Sequence, residues 1–328
     1  MKKLLCAILA IMMVLSATAA MAEVTLTYAE VNPEDTIVGQ IAANFKAKLE
    51  ELSGGEIKVD VQYSGVLGAE AQILDGILMG GDTVDVARIS AFALSSYGCG
   101  KATLLSLPYT FAGREHYWNF AGSDLAKEFL AEPQTMGLPL RGLAYGEEGF
   151  RHFFFKNEVT DITSLKGMKI RVSEDPIMTG LVSSLGANAA VVPFTELYSA
   201  LHTGVVDAAE QPIANYKANA FPEVAPYLML DGHTLGAVQL IITDAAWNKL
   251  TAEQQAMVEE AAAYASAQNK AGVADAEAAV LEQLKAEGCT IVEVTDSAPW
   301  QAAAADVAAI KSAIGQYADL YQQILDMQ

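Results

Sequence analysis

From Val24 onward, short alternating runs are separated by longer periodic ones. "VTLTYA" (Val24–Ala29), "EIKVDVQY" (Glu56–Tyr63) and "TVDVARIS" (Thr83–Ser90) carry the period of two that marks strands. Between them, "TIVGQIAANFKAKLEEL" predicts a helix from about Thr36 to Leu52 closed by Gly54-Gly55. "GAEAQILDGILMGG" predicts a short helix closed by Gly80-Gly81. Strand and helix take turns, the rhythm of a parallel sheet covered by helices. The rhythm recurs after Leu138. "LPLRGLAYGEEGFRHFFF" holds two strand-like runs, "MKIRV" and "NAAVVPF" are strands, and "DPIMTGLVSSLGA" is a helix. "FTELYSALHTG" is a helix with Thr195 as N-cap and Gly204 as its stop, and "VVDAAEQP" is a strand running into a polar loop. Two α/β units follow, with a boundary near Gly146–Phe150. The last third differs: Thr251–Gly288 is Ala/Glu-rich and reads as one very long helix or two abutting ones, followed by a last helix over about Ala302–Leu325.

The N-terminus changes the picture. Lys2 and Lys3 precede the apolar run Leu4–Leu15, and "SATAAMA" ends in Ala20-Met21-Ala22 before Glu23. This is the pattern of a secretory signal peptide over residues 1–22, too short in its apolar core for a membrane span. Cys6 lies before that core and supports no lipid anchor. Removing the leader takes away two lysines and no acid, so a net charge of −20 becomes −22. Such a surface disfavours nucleic acid and anionic membranes as partners. Cys99 and Cys289 remain as a pair that an oxidising compartment could link, with no spacing signature to decide it.

The chemistry-bearing residues are sparse. His116, His152, His202 and His233 form no metal-ligand spacing, and each reads as a surface or satisfied structural histidine. There is no nucleophile elbow, no phosphate loop and no cofactor motif. What remains is basic residues in strand contexts: Arg88 in "VDVARIS", Arg151 in "EGFRHFF" and Arg171 in "KIRV". A guanidinium presents a planar fork that matches a carboxylate, and ligands of open α/β sheets bind at the carboxyl ends of strands. An arginine buried in a short strand needs an anion beside it. The plain alternative for each is a solvated or internally paired side chain.

"GFRHFF", "DITSLKGMKIRV", "LGANAAVVPFTELYSALHTGVVDAAEQP" and "FPEVAPYLMLDGH" resemble the solute-binding subunits of tripartite ATP-independent periplasmic (TRAP) transporters. So do "FKAKLEELSGGEIKVDVQYSGVLG" and "LLSLPYTFAGREHYW" in the first half. The resemblance covers nearly all of the chain after the leader. It implies two α/β domains with a ligand cleft between them and a long helix spanning both, divided as residues 23–148 with about 237–276, and 149–236 with about 277–328. It implies a periplasmic protein, mostly monomeric in this family, that needs no cofactor and delivers its ligand to integral-membrane subunits.

The resemblance also assigns residues. Arg171 is the main clamp on the ligand carboxylate and Arg151 a second positive contact. Gln211 stands where the family usually has Asn, which keeps the amide and lengthens its arm. Phe194 matches an aromatic packed against the ligand, with ordinary core as its alternative. Arg88 lies in a strand that resembles the version found in sugar-acid binders. Glu30 and Asn32 follow the first strand, and Asn215 and Tyr216 add polar reach. Glu30 as an acceptor suits hydroxyl groups and repels a second carboxylate. The leading expectation is a uronate or aldonate. The alternatives are a C4-dicarboxylate held by Arg88 or Arg151, a 2-oxo or aromatic acid, a sensor of the same fold, or a secreted enzyme using Glu30 or Glu210 as base.

Overall fold

The computed structural model describes residues 24–328, so the expected leader lies outside the described residues. The first five elements follow the expected alternation: β1 (Val24–Ala29), a helix over Gly39–Leu52, β2 (Ile57–Gln62), a helix over Glu70–Leu78 and β3 (Val86–Ser90). β1 pairs in parallel with β2 and β3. Ile41, Ala42, Phe45 and Leu49 line one face of the first helix and bury against Leu26, Tyr28 and Val59 of the strands.

Beyond β3 the structure corrects the reading. "LPLRGLAYGEEGFRHFFF" is not two strands but one, β4 (Leu140–Phe155, 16 residues). Then come β5 (Lys169–Val172), β6 (Asn188–Val191) and β7 (Ala208–Pro212). A 17-residue strand that the pattern did not reveal, β8 (Tyr227–Thr243), follows, and β9 (Thr290–Glu293) pairs with it. The sheet runs β2-β1-β3-β8-β4-β7-β5-β6 and is mixed rather than parallel, since β8 is antiparallel to β3 and β4, and β4 to β7. β4 and β8 pair with register shifts at Gly142/Ala144, Glu147/Phe150 and Arg151/Phe153. Leu140–Glu147 lies with β3's side of the sheet and Phe150–Phe155 with β7's, so two α/β units share these two strands.

The helix after Thr251 is single and unbroken by Gly272: Ala252–Ala286, 35 residues. Thr251 Oγ1 accepts from the Gln254 amide while Gln254 Oε1 accepts from the Thr251 amide, a capping box. Val258, Ala261 and Ala265 pack into the first unit's core, Val273 meets Ile37 and Ala214, and Leu284 joins the second unit's core. Midway, Asn269 brackets the Glu147 peptide at the β4 register shift, accepting from its N–H at 2.8 Å and donating to its carbonyl at 3.0 Å.

The expected last helix is three: Ala298–Ala305, Ala308–Gln316 and Ala318–Leu325. The first break lets Val307 seat on Gly180 of the helix Pro176–Ser184, where a Cβ would come within 2.4 Å of Val307 Cγ1. Thr195 caps nothing. It sits in a 3-10 turn (Phe194–Glu196) before the helix Leu197–Thr203, whose stop at Gly204 is left-handed as expected. Cys99 and Cys289 are both free thiols in separate cores. His116, His152 and His233 are buried and hydrogen-bonded. Among the described residues no helix is long and apolar enough to cross a membrane, and no three His, Cys, Asp or Glu side chains form a metal-binding group.

Candidate functional site

The strand ends of the two units face one another across a cavity of about 180 Å³. Arg88 comes from β3, Arg151 from β4, Arg171 from β5 and Gln211 from β7. These four line the cavity with Asn32, Asn215 and Phe194. Seven of the nine expected site residues are therefore brought together. Glu30 is not on this wall: it lies behind Arg88, accepting from its guanidinium and from the Asn32 amide. Tyr216 is buried away from the cavity, its hydroxyl donating to the Ala225 carbonyl and its ring 4.7 Å from that of Phe154.

The three arginines differ in what surrounds them. Arg88 donates through Nε (3.1 Å) and Nη2 (2.5 Å) to Glu30, and through Nη1 to Glu70 (2.5 Å). Arg151 donates through Nε (2.5 Å) and Nη2 (3.0 Å) to Glu210, through Nη1 to Glu148 (2.5 Å), and stacks 4.8 Å over Phe92. Burial works against both charges, and the flanking carboxylates outweigh it. Glu210 shows the reverse side of the pairing: burial pushes its carboxyl up, but Arg151 prevails and holds it at about 2.

Arg171 has no such company. It is 2 % exposed, its Nε donates to the Val192 carbonyl at 2.8 Å, and Nη1 has no partner. Among the described residues no carboxylate comes within ion-pair distance of it. Burial pulls its pKa down to about 10, the direction expected of a cation removed from water without a counter-ion. The wall thus holds one uncommitted guanidinium, poised for an anion brought from outside.

Sequence reasoning missed Glu70, Glu148 and Phe92, which also line the cavity. The only signal for Glu148 is an acid pair, Glu147-Glu148, inside an otherwise apolar strand run. Glu70 reads as an ordinary first-turn acid of its helix. Glu148 is wholly buried, accepting from Arg151 and from Asn215 Nδ2 (2.9 Å).

Two α/β units around a cleft that offers, among the described residues, one cation without a paired carboxylate define a solute-binding protein for an anion. The chain belongs to the bacterial extracellular solute-binding protein family 7 (DctP), whose profile matches residues 28–313. This is the TRAP family that the sequence resembles, and its members are binding proteins of transport systems rather than enzymes. A solute-binding protein of Roseobacter denitrificans is 30% identical over 293 residues, spanning 89% of this chain and 88% of its own. A TRAP periplasmic solute-binding protein from Pseudomonas putida F1, solved with bound D-glucuronate, superposes with a TM-score of 0.85 at 29% identity, covering 92% of this chain and 96% of that one. One from Bradyrhizobium, solved with galacturonate, gives 0.86 at 28% identity, covering 92% and 99%.

Proposed function

We propose that this protein captures a sugar acid, a uronate or an aldonate, in its cleft and delivers it as a periplasmic monomer to the integral-membrane subunits of a TRAP transporter. The observation that carries the reading is the buried, uncommitted guanidinium of Arg171. A ligand carboxylate there supplies the missing counter-charge, and a cleft closed against water strengthens the pair because the local dielectric falls. The Gln211 amide and the Phe194 ring give the carboxylate end its second contact and its packing. Similar proteins with uronates bound support the choice of ligand class. The hinge of such a protein runs through the β4 register shift at Glu147/Phe150, which divides the chain as 23–148 with about 237–276 and 149–236 with about 277–328.

The test is a thermal-shift panel of uronates, aldonates, C4-dicarboxylates, 2-oxo acids and aromatic acids. Ligands that bind only the folded state raise the melting temperature. Sugar acids are expected to do so, and Arg171→Ala is expected to abolish the rise. A hit confined to aromatic or 2-oxo acids, or a rise that survives Arg171→Ala, would sink the proposal.

A further inference from the structure

The three cavity arginines are not interchangeable, and the acids around them carry a second message. Two guanidiniums, Arg88 and Arg151, are shared among four carboxylates: Glu30, Glu70, Glu210 and Glu148. One guanidinium, Arg171, has none. The cavity wall therefore carries one guanidinium with no paired carboxylate together with two carboxylates, Glu70 and Glu148, whose arginines are shared with other acids. Glu148 spends one oxygen on Arg151 and the other on Asn215 Nδ2. A carboxylate partner fixes how the Asn215 amide points, and so makes its Oδ1 an acceptor. That Oδ1 is buried and has no partner. Glu70 is gripped by Arg88 and by the amide and hydroxyl of Ser90 (3.1 and 2.6 Å), which holds its carboxylate rigidly at the cavity wall. Burial raises the pKa of Glu148, Arg151 and Arg88 oppose the rise, and the charge of Glu70 adds to it.

We infer that the acceptor wall of Glu148, Glu70 and Asn215 makes this cleft select monocarboxylates whose remaining polar groups are hydrogen-bond donors, and reject any ligand with a second carboxylate. The inference rests on the sugar-acid reading and sharpens it. A hydroxyl group satisfies Asn215 Oδ1 and can donate to either glutamate. A carboxylate in the same place donates nothing and meets two like charges whose arginines are already engaged. Rejection by like charge is specificity through an unfavourable element, distinct from the attraction at Arg171. Uronates and aldonates pass this filter. Aldarates, which differ from them by one further carboxylate, do not, and neither do C4-dicarboxylates.

Titration calorimetry on ligand-free protein tests it, with galacturonate and galactonate set against galactarate and succinate. Galactarate and succinate are expected to bind at least about a hundredfold more weakly than the better sugar acid. Glu148→Gln, which keeps shape and removes the charge, is expected to narrow the galactarate gap to within about tenfold. Should that variant not fold, Glu70→Gln, at a more exposed carboxylate, is expected to narrow it as well. Galactarate bound by the unaltered protein as tightly as the monocarboxylates would overturn the inference while leaving a sugar-acid binder. So would a gap unchanged in both variants. Succinate bound with no sugar acid bound at all would overturn this inference and the functional reading together.

Discussion

Arg171 carries a charge that the folded protein leaves unbalanced, and such a charge costs stability until a ligand arrives. Its pKa, drawn down from 12.5 to about 10 by burial, corresponds to a cost on the order of 3 kcal/mol. Arg171→Met, apolar and of similar reach, should therefore raise the melting temperature of the ligand-free protein by a few degrees, while removing the ligand-induced rise. Scanning calorimetry with and without the preferred sugar acid checks both halves; a variant that melts lower without ligand would contradict the account. This residue drew notice in the sequence because a cation stood between Ile170 and Val172 in a short strand, and the resemblance supplied its role. The commitments of Arg88 and Arg151 were not. Glu30 lies 58 positions from Arg88, and Glu210 lies 59 from Arg151. Nothing local announces a pairing made only when strands from different parts of the chain lie side by side. Glu30, read as a ligand contact, is Arg88's counter-ion for the same reason.

At the scale of elements, the helix Pro176–Ser184 starts on a capping residue under tension. Asp175 accepts from the Met178 amide at 2.9 Å, but its other oxygen is buried without a partner, and burial pushes its carboxyl up to about 6. The folded pKa is raised above the unfolded value of 3.8, so the favourable contribution is complete below about pH 4 and is lost as pH rises through 6. Asp175→Asn keeps the cap and cannot ionise. It should stabilise the protein by on the order of 2–3 kcal/mol at pH 7.5, with the gain vanishing near pH 4. Urea midpoints across that range decide it, and an equal gain at both ends would point away from ionisation. The amphipathic elements of the first unit and the long helix could be read because their periodicity and caps are local. β8 could not: it is buried along nearly its whole length, so its residues do not alternate, and an apolar run without a period does not declare itself a strand. The C-terminal helix was placed but not divided, since the first of its two breaks answers to Gly180, far away in the sequence.

In the whole molecule, segments that follow strands at opposite ends of the sheet meet. Gly65, beyond β2, has a φ of +67°, and a Cβ there would lie 2.8 Å from Thr195 Cγ2, beyond β6. Ser96 donates to the Glu174 carbonyl across the same divide. Gly65→Ala should hold this contact apart and weaken ligand binding about tenfold, through a clash of the kind that costs packed contacts on the order of 1–3 kcal/mol. Thr195→Ser removes the obstructing methyl and should restore most of the affinity in the double variant, while changing little alone. If the double variant binds no better than Gly65→Ala, the loss belongs to left-handed backbone strain at residue 65 and not to the contact with Thr195.

The two strands shared by both units also govern how the fold can be reached. Leu26 and Tyr28, near the start, share one core with Val238, Leu240 and Ile242 of β8 and with Val258 and Ala261 of the long helix. The N-terminal strand finds its pairing partners β2 and β3 early, but the core around it is complete only once β8 and the long helix have been added. Neither half of the gene, expressed alone, encodes a complete core. A first unit whose core is completed only by β8 and the long helix cannot close until those late segments have been made.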